Sequence, residues 1–227
     1  MAQIISIANQ KGGVGKSTVT LLAATALSQP PFSYDVAVVD VDPQQSISRR
    51  RAFDLDGFTA PIPYTVYAYN FATFARDAQA LDGRHQVIFL DVAGKLDTGA
   101  GGDSEAIQAL QYIDLVLVPL TPGNFTLDAT LDYIEAVKVV QGQRPDLQLA
   151  AFRNMHRERS RHGRQLAAEL ADLNRLANVP LMEAPLKRYS EFEDADSLTS
   201  LYTKDSSSPA RQNLTTWVDE LTTLIIK

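Results

Sequence analysis

Gln10-Lys11-Gly12-Gly13-Val14-Gly15-Lys16-Ser17-Thr18 follows the apolar run Ile4-Ile5-Ser6-Ile7-Ala8 and precedes Val19 to Leu27. The run before it reads as a strand and the stretch after it as a helix. A glycine-rich turn between the two makes a phosphate cradle. Its glycines let backbone N–H groups converge on an anion, and the helix N-terminus adds partial positive charge. In such a cradle Lys16 reaches the outer phosphates and the Ser17 hydroxyl ligates Mg²⁺.

The spacing departs from the ordinary phosphate loop, which has a glycine five residues before its last one. Gln10 stands at that position, and an extra lysine, Lys11, follows it. A second cation beside a cradle that already holds Lys16 is expected to neutralise phosphate charge in the transition state, across a dimer interface.

The 227 residues fit one large domain, and no composition break argues for two. Acidic side chains outnumber basic ones, 27 to 21, so any nucleic-acid binding must come from a local patch against a repulsive overall field. Cysteine is absent, which removes disulfides, cysteine-based zinc sites, iron–sulfur clusters and thiol nucleophiles together. The N-terminus lacks the charged and apolar regions of a signal peptide. No apolar run approaches the ~20 residues needed to span a bilayer.

Strand-like runs alternate with helix-like stretches, the pattern of a mainly parallel α/β sheet with helices on both faces. Val36 to Val39 reads as a second strand, ending in Asp40-Val41-Asp42-Pro43-Gln44-Gln45. Val87 to Leu90 reads as a third, ending at Asp91-Val92-Ala93-Gly94. Ile113 to Pro119 and Leu147 to Phe152 are expected as a fourth and a fifth, and Leu181 to Pro185 as a short sixth. In open α/β sheets ligands sit beyond the C-terminal strand ends, where these aspartates fall. Asp91, closing four apolar residues, has the form of a carboxylate that serves Mg²⁺. Asp40 and Asp42, one residue apart, would share a face of an extended segment; one orients the attacking water while the other supports the metal shell or the loop. The glycines from Gly94 to Gly102 suggest a loop that moves with the state of the γ-phosphate.

Together these residues resemble the ParA/MinD class of P-loop ATPases, with their deviant phosphate loop. Lys11 to Thr18 looks like that loop, Val39 to Gln44 like the second motif, and Leu90 to Gly94 like the third, with Ala93 where many relatives have proline. Val118-Pro119-Leu120-Thr121-Pro122 is similar to the strand-end motif that follows. Tyr202 to Ala210 looks like the stretch before the last helix. The likeness is greatest to the small plasmid-type partition ATPases, which begin at the first strand without an N-terminal helix-turn-helix domain; a single domain over 1–227 is therefore expected. The resemblance implies that Lys11, Gly12, Gly13, Val14, Gly15, Lys16, Ser17 and Thr18 bind ATP phosphates. It implies Mg²⁺ on Ser17 with Asp91 and Asp42, a hydrolytic water oriented by Asp42 with Asp40 in support, and Lys11 reaching the partner subunit's nucleotide in an ATP sandwich dimer. It also places Asn154 near the adenine. No Asn-Lys-x-Asp guanine-reading motif occurs, which favours ATP over GTP.

Arg153, Arg157, Arg159, Arg161 and Arg164 cluster in one stretch, a conspicuous basic patch in an acidic chain and suited to DNA phosphates. Lys187 and Arg188 form a second candidate. Arg49-Arg50-Arg51 forms a third, unless those arginines answer Asp54 and Asp56. Such patches bind the backbone without reading sequence. The resemblance implies a slow ATPase that acts in DNA segregation. ATP drives homodimerisation and nonspecific DNA binding, and a centromere-binding adaptor of the ParB type stimulates hydrolysis. It further implies a cytoplasmic protein that is nucleoid-associated in the ATP state. A cargo-positioning ATPase for a protein assembly would look the same. A MinD-like membrane ATPase would need a basic amphipathic tail, whereas Trp217 to Lys227 carries two acids and one lysine and is expected to dock on the core. A biosynthetic ligase such as dethiobiotin synthetase would not explain Lys11 or the Asp40–Asp42 motif.

Overall fold

The computed structural model describes residues 1–94, 96, 104–121, 127–156, 177–202 and 207–225. Among these the chain forms β1 (Gln3–Ile7), α1 (Lys16–Leu27), β2 (Val36–Asp40), α2 (Ser46–Asp54), β3 (Thr65–Ala68), α3 (Phe71–Asp82) and β4 (Val87–Asp91). It continues with α4 (Glu105–Ala109), β5 (Leu115–Leu120), α5 (Leu127–Gln141), β6 (Gln148–Arg153), α6 (Ser190–Glu193) and α7 (Pro209–Ile225). The six strands pair in the order β3-β2-β4-β1-β5-β6, all parallel, as the sequence pattern predicts.

Both faces of the sheet are covered, so its central strands are apolar without a polar side. Successive residues alternate between two cores. Ile4, Val39, Ile88, Leu90, Val116 and Val118 face a core shared with α3, α4 and α5. Ile5, Ile7, Val38, Phe89, Leu115 and Leu117 face one shared with α1 and α7. Trp217 on α7 is fully buried against Phe152 of β6, the ring centroids 5.2 Å apart. Each such side chain contributes about 1.5–3 kcal/mol by leaving water. The apolar C-terminal stretch thus docks on the core, as expected. No described helix is long and apolar enough to cross a membrane.

Two expectations are corrected. Leu181 to Pro185 is not a strand; it makes one isolated bridge, Ala151 to Leu181. The cause is local: the backbone N–H groups of Glu183 and Ala184 donate to the two carboxylate oxygens of Glu220 on α7, and Pro185 has no N–H to offer β6. The sixth strand is instead β3, a four-residue edge strand behind Pro61-Ile62-Pro63.

In the Arg49-Arg50-Arg51 run the expected alternative, an arginine answering a nearby acid, holds at Arg50, and neither expected reading holds at Arg51. Arg50 pairs with Asp54 at 2.8 Å. Arg51 is buried; its guanidinium donates to the Tyr64 carbonyl, the Ser197 hydroxyl and the Ser197 carbonyl, and lies 4.2 Å above the centre of the Tyr64 ring. Replacing Arg51 with alanine leaves two buried carbonyls without a donor. Urea denaturation should show a loss of about 2–3 kcal/mol, whereas Arg49→Ala, at an exposed position, should leave the midpoint unchanged.

Candidate nucleotide site

The chain leaves β1 at Ile7 and re-enters helix at Lys16, and the turn between them is pinned from three sides. Asn9, fully buried, donates its amide to the Pro119 carbonyl and the Thr130 hydroxyl, both at 3.1 Å. Its side-chain oxygen accepts the Lys11 N–H at 3.0 Å. Val14 is buried, and its carbonyl accepts the Asn154 amide at 2.7 Å. Gly94 lies so close to the third side that a Cβ there would stand 2.0 Å from the Asn9 carbonyl oxygen. Gly13 and Gly15 adopt left-handed backbone (φ 74° and 84°), open to glycine without strain.

The turn walls a cleft of about 540 Å³ at the C-terminal end of the sheet. Gly12, Gly13, Gly15, Lys16, Ser17 and Thr18 form one wall; Asp42, Gln44, Ser46 and Gly94 stand on the others. Because α1 begins at Lys16, its unpaired N–H groups belong to this cleft. The Lys16 ammonium also donates to the Lys11 carbonyl at 3.3 Å, curling the side chain back along its own loop. Lys11 is absent from the lining of the cleft.

The aspartates divide. The parallel register of β2 and β4 sets Asp40 beside Asp91 at the same level of the sheet. Asp91 is buried, and its carboxylate accepts the Ser17 hydroxyl at 3.0 Å. Asp40 is fully buried, one oxygen taking both the N–H and the hydroxyl of Ser48 on α2, at 2.8 and 2.9 Å. Asp42 reaches the cleft, and its carboxylate accepts the Gln44 N–H at 2.8 Å. Asp40 and Asp42 therefore do not share a face. The strand ends at Asp40 and the chain turns over Val41 into α2, so only Asp42 can meet a cleft ligand directly, and Asp40 acts from behind through Ser48. Ser48 and Asn9 are the residues that sequence reasoning missed. Their signal was a polar side chain flanking each motif, which spacing rules do not weigh.

Burial sets the electrostatics. It pushes the Asp91 carboxyl up to about 7, with Asp40 adding to the rise and the Ser17 hydrogen bond opposing it. Burial raises Asp40 as well, against the Ser48 hydrogen bonds. Burial lowers Lys16, with Asp91 and Asp42 opposing. A divalent cation suits this donor set. An octahedral Mg²⁺ with bonds of about 2.1 Å has neighbouring ligand oxygens about 3.0 Å apart, the separation of the Ser17 and Asp91 oxygens. No described group of three or more His, Cys, Asp or Glu residues could hold a metal on its own.

Asn154 is buried and committed to Val14, so it supports the loop from beneath; it also borders a second, smaller recess with Met155, Tyr189 and Phe192. Arg153 and the pair Lys187-Arg188 come together. The 186–188 segment runs beside the end of β6 through hydrogen bonds from Leu186 N to Arg153 O, from His156 N to Leu186 O and from Arg188 N to His156 O. Within that ribbon Arg153 donates to the Glu183 carbonyl, and Arg188 pairs with Glu193 at 2.9 Å. Arg157, Arg159, Arg161 and Arg164 lie outside the described residues, as does most of the glycine-rich stretch after Gly94.

Two outcomes follow from the geometry. Gly94→Ala should displace the Asn9–Gln10 backbone and weaken binding of a fluorescent ATP analogue at least tenfold in titration. Asp91, raised above the ordinary carboxylate value of about 4, contributes stability that is complete below that pH and lost as pH rises through about 7. The melting temperature of metal-free protein should therefore fall between pH 5.5 and 8, and Asp91→Asn should flatten that slope.

Residues 5–199 match the family described as the CobQ/CobB/MinD/ParA nucleotide binding domain. Maintenance of carboxysome distribution protein A of Halothiobacillus neapolitanus is 23% identical over 191 residues, covering 84% of this chain and 82% of that protein. Cobyrinic acid a,c-diamide synthase from Mycobacterium smegmatis, solved with ADP and magnesium, superposes with a TM-score of 0.69 at 20% identity, covering 98% of this chain and 94% of that one. A plasmid partition protein from Borrelia burgdorferi superposes at 0.66 and 17% identity, covering 98% and 99%. The family match spans most of the chain, and the phosphate loop stands at the end of a central strand beside the Asp91 carboxylate. The chain belongs to the CobQ/CobB/MinD/ParA nucleotide-binding family.

Proposed function

We propose that this chain is an ATPase and a dimer-forming switch that segregates DNA. Binding of ATP and Mg²⁺ closes two subunits face to face, the dimer binds DNA without reading its sequence, and a centromere-binding adaptor triggers slow hydrolysis. The observation that carries this reading is the split between the two loop lysines. Lys16 lines the cleft of its own subunit, while Lys11, five residues earlier, does not. On this reading Lys11 serves a nucleotide held by a facing copy, where it would stabilise charge developing on the phosphates.

The remaining roles follow from position. Gly12 to Thr18 cradle the phosphates, with Lys16 on the outer ones. Ser17 and Asp91 would hold Mg²⁺, with Asp42 near its outer shell; the ion, when bound, neutralises phosphate charge and orients the leaving group. Asp42 orients the attacking water from the opposite wall. Asp40, through Ser48, fixes where α2 starts and hence where the Asp42 turn lies. Asn154 holds the loop and edges the recess proposed for the adenine. DNA contact is assigned to the ribbon of Arg153, Lys187 and Arg188 with the neighbouring Arg157, Arg159, Arg161 and Arg164. A second reading, positioning of a protein assembly on the same DNA matrix, is favoured by the likeness to the carboxysome-distribution protein.

Mixing two crippled variants tests the shared site. Lys11→Ala and Asp42→Ala should each lose ATP turnover alone. If Lys11 acts across the interface, mixed dimers keep one site with an intact Asp42 and a partner's Lys11, and an equimolar mixture should recover about a quarter of wild-type turnover. No recovery would place Lys11 in its own subunit's site and remove the sandwich.

A further inference from the structure

At the far end of α2 from the cleft lies a further concavity, of about 310 Å³. It is lined by Phe53, Phe58 and Leu198 together with Asp54, Asp56, Asp196 and Thr199, and no basic residue lines it. Phe53 is 77% exposed. An exposed phenylalanine on the wall of an apolar concavity with acidic side chains among its lining has the make-up of a contact surface. Of the three aspartates, Asp54 is answered by Arg50. Asp196 accepts the backbone N–H groups of Leu198 and Thr199 and forms no ion pair among the described residues. Asp56 is exposed. An apolar lining with acidic side chains among it repels DNA and anionic lipid and complements a chain segment that alternates cationic and apolar side chains.

We propose that this groove docks a cationic, apolar segment of a partner protein, and that docking there reaches the ATP site through α2. The connection is continuous. Asp54, on the groove, accepts the Ser197 N–H and pairs with Arg50. Arg51, one turn back, is clamped to Ser197 and Tyr64. Ser48, one turn further, holds Asp40, and Ser46 at the start of the helix lines the nucleotide cleft. A partner that shifts the far end of this nine-residue helix moves the turn that carries Asp42. The second half of the proposal rests on the switch reading; the first does not.

The test uses the full chain without nucleotide and a fluorescein-labelled twelve-residue peptide of alternating arginine and leucine, read by anisotropy at physiological salt. Phe53→Gln and Asp56→Lys, both at exposed positions, should together weaken binding at least tenfold, while Asp128→Lys on the exposed surface of α5 should change it less than twofold. Equal loss at Asp128, no loss at the groove, or equal binding of a glutamate–leucine peptide would overturn the docking site. With ATP and Mg²⁺ present, the arginine peptide should raise turnover several-fold in wild type and not in the double variant. Binding without that rise would retain the groove and remove its coupling to hydrolysis.

Discussion

Two carboxylates that end adjacent parallel strands at the same level are the constraint from which the site follows. Asp40 and Asp91 are held side by side by the β2–β4 register, both buried, where like charges repel with little water to screen them. Their surroundings are arranged to make that tolerable. Ser48 donates twice to one oxygen of Asp40, whose other oxygen is buried without a hydrogen-bond partner, Ser17 hydrogen-bonds to Asp91, and the Lys16 ammonium lies close enough to act on Asp91. An incoming cation relieves the same repulsion. Burial is the larger cause of the Asp91 value near 7, and the neighbouring Asp40 adds to it.

The second structural consequence is the role of α2. It begins on the wall of the nucleotide cleft, holds Asp40 in its first turn, and is fastened by Arg50, Arg51 and Asp54 to the 194–198 segment. That segment follows α6, which borders the recess beside Gly15 and Asn154. Both walls of the nucleotide site are thus tied to one rigid helix.

Much of this was legible in the residues because their signals are local. The phosphate loop, the apolar central strands and the Asp91 strand end each declare themselves within a few positions, and the sheet followed from their alternation. What escaped was decided by tertiary partners. β3 is four residues long, sits at an edge and follows two prolines, so neither its period nor its propensity stands out. Leu181 to Pro185 has strand-like composition, yet Glu220, distant in sequence, takes its N–H groups. Arg51 looked like surface charge beside two other arginines until Tyr64 and Ser197 closed over it. Gly94 read as a hinge glycine, whereas its contact with the Asn9 carbonyl shows that it is also small for reasons of space.

The central claim is that ATP closes two copies of this chain around Lys11. Light scattering on the eluting peak of a sizing column measures that directly. With ATP and Mg²⁺ the mass should move from the 24.9 kDa of one chain towards twice that value, and it should remain at one chain with ADP or without nucleotide. A single-chain mass under all three conditions, at protein concentrations where ATP is demonstrably bound, would contradict it.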